Sequence, residues 1–220
     1  MSSSEKINHN VLIKQANDLS DIADVEALIS IIQEQNDTSI LAAMKRSIIN
    51  EYLSICINSD KIHLFVCEYE DKTIGYALFC DSLRYLVSEM KPLTIPMLKD
   101  TLIHFRILSL LNIALSVTKL DAVCISKEKK QAIMANPNLS YLAVDGRYQS
   151  QGIGKYFLMK SIDIMKEFYP NKQFISVETD DPLTQNFYTN KCSFMPYAKR
   201  FRFFRSLAIY TMPLNDKTSE

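Results

Sequence analysis

A strand-like run, Tyr141-Leu142-Ala143-Val144-Asp145, leads into Gly146-Arg147-Tyr148-Gln149-Ser150-Gln151-Gly152-Ile153-Gly154, where a helical pattern opens. A tight glycine-bearing loop at a helix start leaves several backbone N–H groups without intrahelical acceptors, at the positive end of the helix dipole. Such a loop is an anion site, and phosphate is the usual anion. Two familiar phosphate loops fail on spacing. The P-loop needs a glycine at Gln149 and a Ser or Thr at Tyr156, and the dinucleotide fingerprint needs a third glycine at Phe157. The chain has four glycines, where average usage of about 7% would supply roughly fifteen. Gly146, Gly152 and Gly154 are three of them, so backbone freedom gathers at this loop. Gly146 is read as completing an Asp145-Gly146 turn, whereas Lys155 is open to either a phosphate or solvent.

The elements that must position this loop can be read from periodicity. A short apolar run covers Val11 to Lys14. Asp18 to Gln33 spaces Ile22, Val25, Leu28, Ile29 and Ile32 as the apolar face of a helix, and Ile40 to Ile57 repeats the pattern. Ile62 to Tyr69 and Thr73 to Cys80, rich in β-branched and aromatic residues, flank Glu70-Asp71-Lys72 as a hairpin. Pro92 to Ala135 is helical in character, with a fresh start at Ser126, and Asn136-Pro137-Asn138 ends it. Leu139 to Asp145 reads as a buried strand. Gly152 to Tyr169 follows as a helix facing inward through Phe157, Leu158, Ile162 and Met165. Gln173 to Glu178 is a strand, Pro182 to Asn190 a short helix, and Met195 to Met212 two aromatic-rich strands. This order predicts an α/β (α+β) domain with a mixed sheet and a helical insertion at about 84–135. One domain is expected over residues 1–220, with 1–10 and 216–220 fraying.

Composition excludes several classes of function. Lys plus Arg and Asp plus Glu number 25 each, so no net charge draws the chain to nucleic acid, and no nucleic-acid partner is expected. The five cysteines are odd in number, widely spaced and apolar in setting, which predicts reduced core thiols. No CxxC occurs and His9, His63 and His104 stand apart, so no metal site is expected. The start, MSSSEKINHN, lacks the apolar stretch of a signal peptide, and a cytoplasmic location is expected. Leu102 to Val117 is apolar on nearly all sides but broken by His104, Arg106 and Asn112, too short for the roughly 18 apolar residues of a transmembrane segment. It is read as a buried helix, with a membrane-surface or homodimer-forming helix as the alternative. The Lys199, Arg200, Arg202 and Arg205 cluster is read as a solvated strand face.

Gln149-x-x-Gly152-x-Gly154 after a Leu-Ala-Val-Asp strand resembles the acyl-CoA pyrophosphate loop of the GNAT N-acyltransferase superfamily. The later strand ending near Glu178, then Asn186-Phe187-Tyr188 leading to Phe194, resembles that family's closing helix and strand. The likeness spans about Ile62 to Met212. It implies a mostly antiparallel central sheet whose parallel pair, Leu139–Asp145 and Gln173–Glu178, splays to admit a pantetheine arm along Leu142, Ala143 and Val144. The amides of Gln149, Ser150, Gln151, Gly152, Ile153, Gly154 and Lys155 would hold the pyrophosphate, and Asp181 stands where an asparagine often meets the cofactor. The implied reaction is acetyl transfer from acetyl-CoA to a primary amine of a small molecule through a ternary complex. A backbone N–H near Val144 would steady the oxyanion, and Tyr188 would protonate the leaving thiolate. The alternative reading of Tyr188 is a core aromatic.

Besides Asp181, the chain departs from the family pattern in three places. Asn136-Pro137-Asn138 stands where many members carry a glutamate base, and Glu178 is the substitute considered. Ser193 replaces the usual glycine before Phe194. The Tyr188 to Phe194 spacing is one residue long. The insertion resembles a subgroup for which amino sugars are plausible acceptors, while the departures motivate an alternative, a catalytically weak CoA-binding regulatory or interaction protein.

Overall fold

The computed structural model describes residues 11–19, 25–34, 42, 44–103, 125–202 and 205–214. Most of the 102–117 segment and the expected frayed ends, 1–10 and 216–220, lie outside the described residues. The strands are β1 (Val11–Gln15), β2 (Ile62–Tyr69), β3 (Lys72–Cys80), β4 (Asn138–Val144), β5 (Phe174–Thr179), β6 (Met195–Arg202) and β7 (Arg205–Pro213). They form a seven-stranded sheet in the order β1-β2-β3-β4-β5-β7-β6. The pairings β1–β2, β2–β3, β5–β7 and β6–β7 are antiparallel and β4–β5 is parallel, which is the mixed, mostly antiparallel sheet expected. The chain divides into two compact units, 1–80 with 140–168, and 81–139 with 169–220. Among the described residues no helix is long and apolar enough to cross a membrane.

In the first unit, β2 and β3 are joined by the two-residue turn Glu70-Asp71, with φ of 50° and 60°. Two consecutive residues in the left-handed region make the turn whose twist matches that of the flanking strands. Both strands are buried along nearly their whole length. The helices α1 (Val25–Glu34) and α2 (Arg46–Ile57) bury Leu28, Ile29, Ile32, Ile49 and Leu53. Each fully buried side chain of this kind stabilises the fold by roughly 1.5–3 kcal/mol. The periodicity from Ile40 predicts an earlier start for α2, but Lys45 is extended (φ −64°, ψ 149°), so the helix opens only at Arg46. Further along, α6 (Ile153–Phe168) buries Phe157, Leu158, Ile162 and Met165 completely, as the spacing predicts.

Where β2 meets β3 the register slips between Cys67 and Glu68, leaving Ile74 as an extra residue on β3 beside Gly75. A Cβ on Gly75 would lie 2.7 Å from the Ala143 carbonyl oxygen of β4. The Asp145 N–H donates to the Ile74 carbonyl at 2.7 Å. Gly75 therefore allows the end of β4 to lie against β3, and an isolated glycine in a strand pattern is the signal for such an approach.

In the second unit the insertion supplies α3 (Leu83–Glu89), α4 (Thr94–Ile103) and α5 (Lys127–Ala135). Ser82 and Ser126 cap α3 and α5, accepting from the N–H groups of Tyr85 (3.2 Å) and Lys129 (3.3 Å), each worth about 1 kcal/mol. The α5 helix ends where Asn136 turns extended before Pro137, the conformation proline imposes on its predecessor. Asn136 then fastens the helix end, donating to the Ala132 carbonyl at 2.8 Å and accepting from the Gln173 N–H at 2.8 Å. Lys172 donates to the Ala135 carbonyl and pairs with Asp81 at 2.9 Å. Lys129 donates to the Tyr197 carbonyl at 2.7 Å and lies over its ring. The insertion is thus tied to the β5–β7–β6 region by lysines and an asparagine.

Candidate active site

The loop after β4 takes its shape from Asp145. Its buried carboxylate accepts from the Arg147 N–H at 2.9 Å, capping the 3-10 turn Gly146–Tyr148, and also receives the guanidinium Nε at 3.0 Å. The hydrogen bonds from the Arg147 side chain lead the causes that hold the Asp145 carboxyl below its usual range. Beyond the turn, Ser150 (φ 62°) and Gly152 (φ 84°) enter the left-handed region two residues apart. Alternation of this kind turns successive N–H groups toward one concavity, the geometry of an anion nest. The glutamine side chains brace the loop, Gln149 Nε2 donating to the Val144 carbonyl at 2.8 Å and Gln151 Nε2 to the Arg147 carbonyl at 3.2 Å.

The backbone N–H of Gln149 is already committed to the Gly146 carbonyl at 3.3 Å. The run of amides open to an anion therefore begins at Ser150, one residue later than the motif implies. Helix α6 closes its first turn with the Tyr156 N–H donating to the Gly152 carbonyl at 3.0 Å. Among the described residues no acceptor sits on the N–H groups of Ile153, Gly154 or Lys155. The Lys155 side chain is exposed beside them.

The glycines separate by physical role. Gly152 has a positive φ, Gly75 has no room for a side chain, and Gly146 has neither constraint, with nothing within 4 Å of an added Cβ. Gly75 is thus the residue of this region that the loop motif does not reveal.

β4 and β5 share only two parallel rungs, Asn138↔Ser176 and Leu139↔Val177. Asn138 is buried, and its amide donates to the carbonyl (3.1 Å) and hydroxyl (3.2 Å) of Ser176. It occupies the stretch where the family pattern has a glutamate and serves here to hold the strands at that rung.

Tyr188 follows α7 (Pro182–Asn186). Asp181 caps this helix, accepting from the Thr184 N–H at 2.7 Å, and the Thr184 bonds, side chain first, depress its carboxyl. That capping role occupies Asp181 Oδ2, which the sequence associates with cofactor contact. From Phe187 to Lys191 the helix widens to a π turn. The extra residue between Tyr188 and Phe194 is absorbed there, because a π turn takes one more residue than an α turn to close its ring. The helix then stops at Ser193, whose φ of 61° is the conformation glycine adopts without strain. Tyr188 is 5% exposed, with its ring edge-on to Phe187 (5.4 Å) and Phe194 (5.3 Å). Burial, reinforced by the Cys192 thiol, pushes its phenol pKa up. Among the described residues its hydroxyl forms no hydrogen bond. The side chain is thus a buried, protonated phenol.

Glu178, near the end of β5, forms an ion pair with Arg200 of β6, and the two side chains are 12% and 15% exposed. The pair corrects one reading of the basic cluster: Arg200 is not on a solvated face, although Lys199 is exposed. The side chains of Arg202 and Arg205 lie outside the described residues. Across the strand order β5-β7-β6, the registers Glu178↔Ile209 and Arg200↔Leu207 put the acid and base on one face. They line a small half-open pocket with Ile209, and α3 and α5 of the insertion contribute Leu83, Lys130, Ile133 and Met134.

No protein-family model and no curated protein matches the chain. Solved structures do. A GNAT-family protein from Desulfovibrio desulfuricans superposes with a TM-score of 0.56 at 13% identity, covering 93% of this chain and 99% of that one. An N-acetyltransferase from Staphylococcus aureus gives 0.55 at 13%, covering 94% and 99%. A spermidine/spermine N-acetyltransferase from Vibrio cholerae gives 0.52 at 11%, covering 94% and 95%. At such identities the likeness is one of fold, and the fold is that of the GNAT acetyltransferases.

Proposed function

We propose that the chain is an acyl-CoA-dependent N-acyltransferase that moves the acetyl group of acetyl-CoA to a primary amine of a small molecule, by direct attack in a ternary complex. The observation that carries the reading is the loop from Ser150 to Lys155, where two left-handed residues and an uncapped helix start present consecutive N–H groups. A pyrophosphate fits that arrangement, since it satisfies several donors at once and carries charge that the helix dipole favours. The fold supports the same reading, and structures sharing it are described as acetyltransferases.

Acetyl-CoA supplies an activated thioester. Leu142, Ala143 and Val144 offer backbone groups to its arm, and an N–H near Val144 steadies the oxyanion. The amine nitrogen forms a bond to the carbonyl carbon, the C–S bond breaks, and Tyr188 gives its proton to the departing thiolate. The proton lost by the amine passes to Glu178 or to water. The resemblance of the insertion suggests an amino sugar as the acceptor, whereas the lining of its pocket favours a different amine. We place the reaction in the cytoplasm.

The alternative of a weakly catalytic CoA-binding protein draws on one observation, the engagement of the Glu178 carboxylate by Arg200. Incubation with acetyl-CoA and a panel of primary amines decides between them. The enzyme releases free CoA in proportion to added amine. Thermal stabilisation by acetyl-CoA with no amine-dependent release would identify the binding protein.

A further inference from the structure

We propose that the pocket walled by the insertion and by the Glu178–Arg200 pair binds a small apolar α-amino acid, and that this zwitterion is the acyl acceptor. The identification as acceptor rests on the acyltransferase reading above, whereas the binding itself does not.

The pocket's chemistry is specific. Leu83, Ile133, Met134 and Ile209 make most of its wall apolar, and its charged groups are Lys130, Arg200 and Glu178. Two cations and one anion leave an excess of one positive charge. Arg200 and Glu178 face each other within a mostly apolar wall, each side chain largely removed from water. An ion pair placed this way is a template for a ligand that carries both charges close together. A carboxylate replaces Glu178 at the guanidinium, which presents a planar fork suited to carboxylates, with Lys130 as a second cation. An ammonium replaces Arg200 at Glu178. Every charge keeps a partner throughout the exchange, which is the condition for binding ions in a site of low polarity.

The same lining argues against polyhydroxylated amines. An amino sugar would bring several hydroxyls to a wall of Leu, Ile and Met that returns no hydrogen bonds, and each unpaired hydroxyl costs affinity. A short aliphatic side chain loses nothing there. Diamines place no anion opposite Arg200 and Lys130.

The insertion provides the second argument. Lys130, Ile133 and Met134 come from α5 and Leu83 from α3. The bonds of Lys129, Lys172 and Asn136 hold α5 at this position. The inserted segment therefore supplies both a fixed wall and a cation, which assigns it to substrate selection. As acceptor, the amino acid forms a new N–C bond as the C–S bond of acetyl-CoA breaks. The ammonium first gives one proton to Glu178, so that a neutral amine attacks. The thiolate leaves as the free thiol with the Tyr188 proton, and the second proton of the amine passes through water to the Tyr188 phenolate.

Calorimetric titration of the full chain with L-valine tests the proposal, with isobutylamine (no carboxylate), 3-methylbutanoate (no amine) and glucosamine as comparison probes. Saturable valine binding is expected, weakened at least tenfold on removing either charge and undetectable for glucosamine. Lys130→Ala and Met134→Trp alter exposed side chains of the lining, and both are expected to weaken valine binding at least threefold while leaving the melting temperature and acetyl-CoA binding unchanged. Absence of valine binding, or equal binding of valine and isobutylamine, overturns the proposal. Separate titration with acetyl-CoA distinguishes the two failures. If acetyl-CoA binds and another amine is acetylated while valine does not bind, the pocket assignment falls and the acyltransferase stands. If valine binds with both charges required but acetyl-CoA does not, the acyltransferase reading falls alone.

Discussion

The backbone N–H of Cys192 donates to the carbonyl of Phe187, five residues earlier, at 3.1 Å. The next closure is wider still, from the Phe194 N–H to the Tyr188 carbonyl at 2.9 Å. Between them stands Ser193 in the left-handed region. A helix that ends this way normally recruits glycine, because an L side chain there costs roughly 1–2 kcal/mol. Ser193→Gly is expected to stabilise the fold by about 0.5–1 kcal/mol, after allowing for glycine's greater freedom in the unfolded chain. Urea denaturation reads this directly, and an unchanged midpoint would show that the serine geometry carries no strain.

Tyr188→Phe removes a hydroxyl without disturbing the packing of the ring on Phe187 and Phe194. Turnover is expected to fall by about two orders of magnitude, the lower part of the range for a general acid, with acetyl-CoA affinity and melting temperature preserved. The pKa of the Tyr188 phenol is raised by burial, so the acid stays protonated to well above neutral pH. A basic limb in the wild-type rate profile that lies below pH 10 must then come from another group. If the variant turns over at the wild-type rate, Tyr188 is a core aromatic.

Gly75 and Gly146 make opposite predictions for the same substitution. Alanine at Gly75 drives a methyl to 2.7 Å from the Ala143 carbonyl oxygen, and overpacking of that kind costs about 1–3 kcal/mol. Alanine at Gly146 meets open space and requires no positive φ, so a change within about 0.5 kcal/mol is expected. Equal effects in thermal unfolding would refute the assignment of Gly75 to the approach of β3 and β4.

Stability should decline on the alkaline side. Burial pushes the thiols of Cys56 and Cys67 up to about 12. Their folded pKa values are raised, so their contribution is complete below pH 9 and is lost as pH rises toward 12, where the unfolded chain has released protons that the folded chain keeps. Each thiol contributes a slope of about 1.4 kcal/mol per pH unit within that window. Urea midpoints at pH 8, 9 and 10 under reducing conditions should fall progressively, and Cys67→Ala should flatten the slope. The four described cysteines, Cys56, Cys67, Cys80 and Cys192, are buried thiols outside any disulfide. A thiol reagent should reach them only after denaturation.

Local rules made the hairpin and α6 legible, because their signals lie within a few residues. Alternating β-branched residues bracket Glu70-Asp71, and Phe157, Leu158, Ile162 and Met165 repeat at the helical period. The late start of α2 was hidden, since the apolar spacing runs on before Lys45 although the backbone there is extended. The ion pair of Glu178 with Arg200 was hidden for a different reason. It depends on the separate registers of β5 and β6 against β7, and no local pattern encodes how two strands align on a third. The π turn lies between these cases. The sequence shows one residue too many after Tyr188, but only three-dimensional closure tells whether a loop or a widened helix takes it up.

The division of the chain into interleaved units bears on the order in which the protein can be made. The first unit consists of residues 1–80 and 140–168. During synthesis the β1, β2 and β3 strands are therefore complete long before β4 and α6 emerge, while the whole insertion passes through the ribosome. Over that interval β3 presents an unsatisfied strand edge, a surface that favours pairing with other chains. The close approach permitted by Gly75 works in the nascent chain's favour, because it fits that edge to the end of β4 and gives the late-arriving strand an advantage over a foreign one.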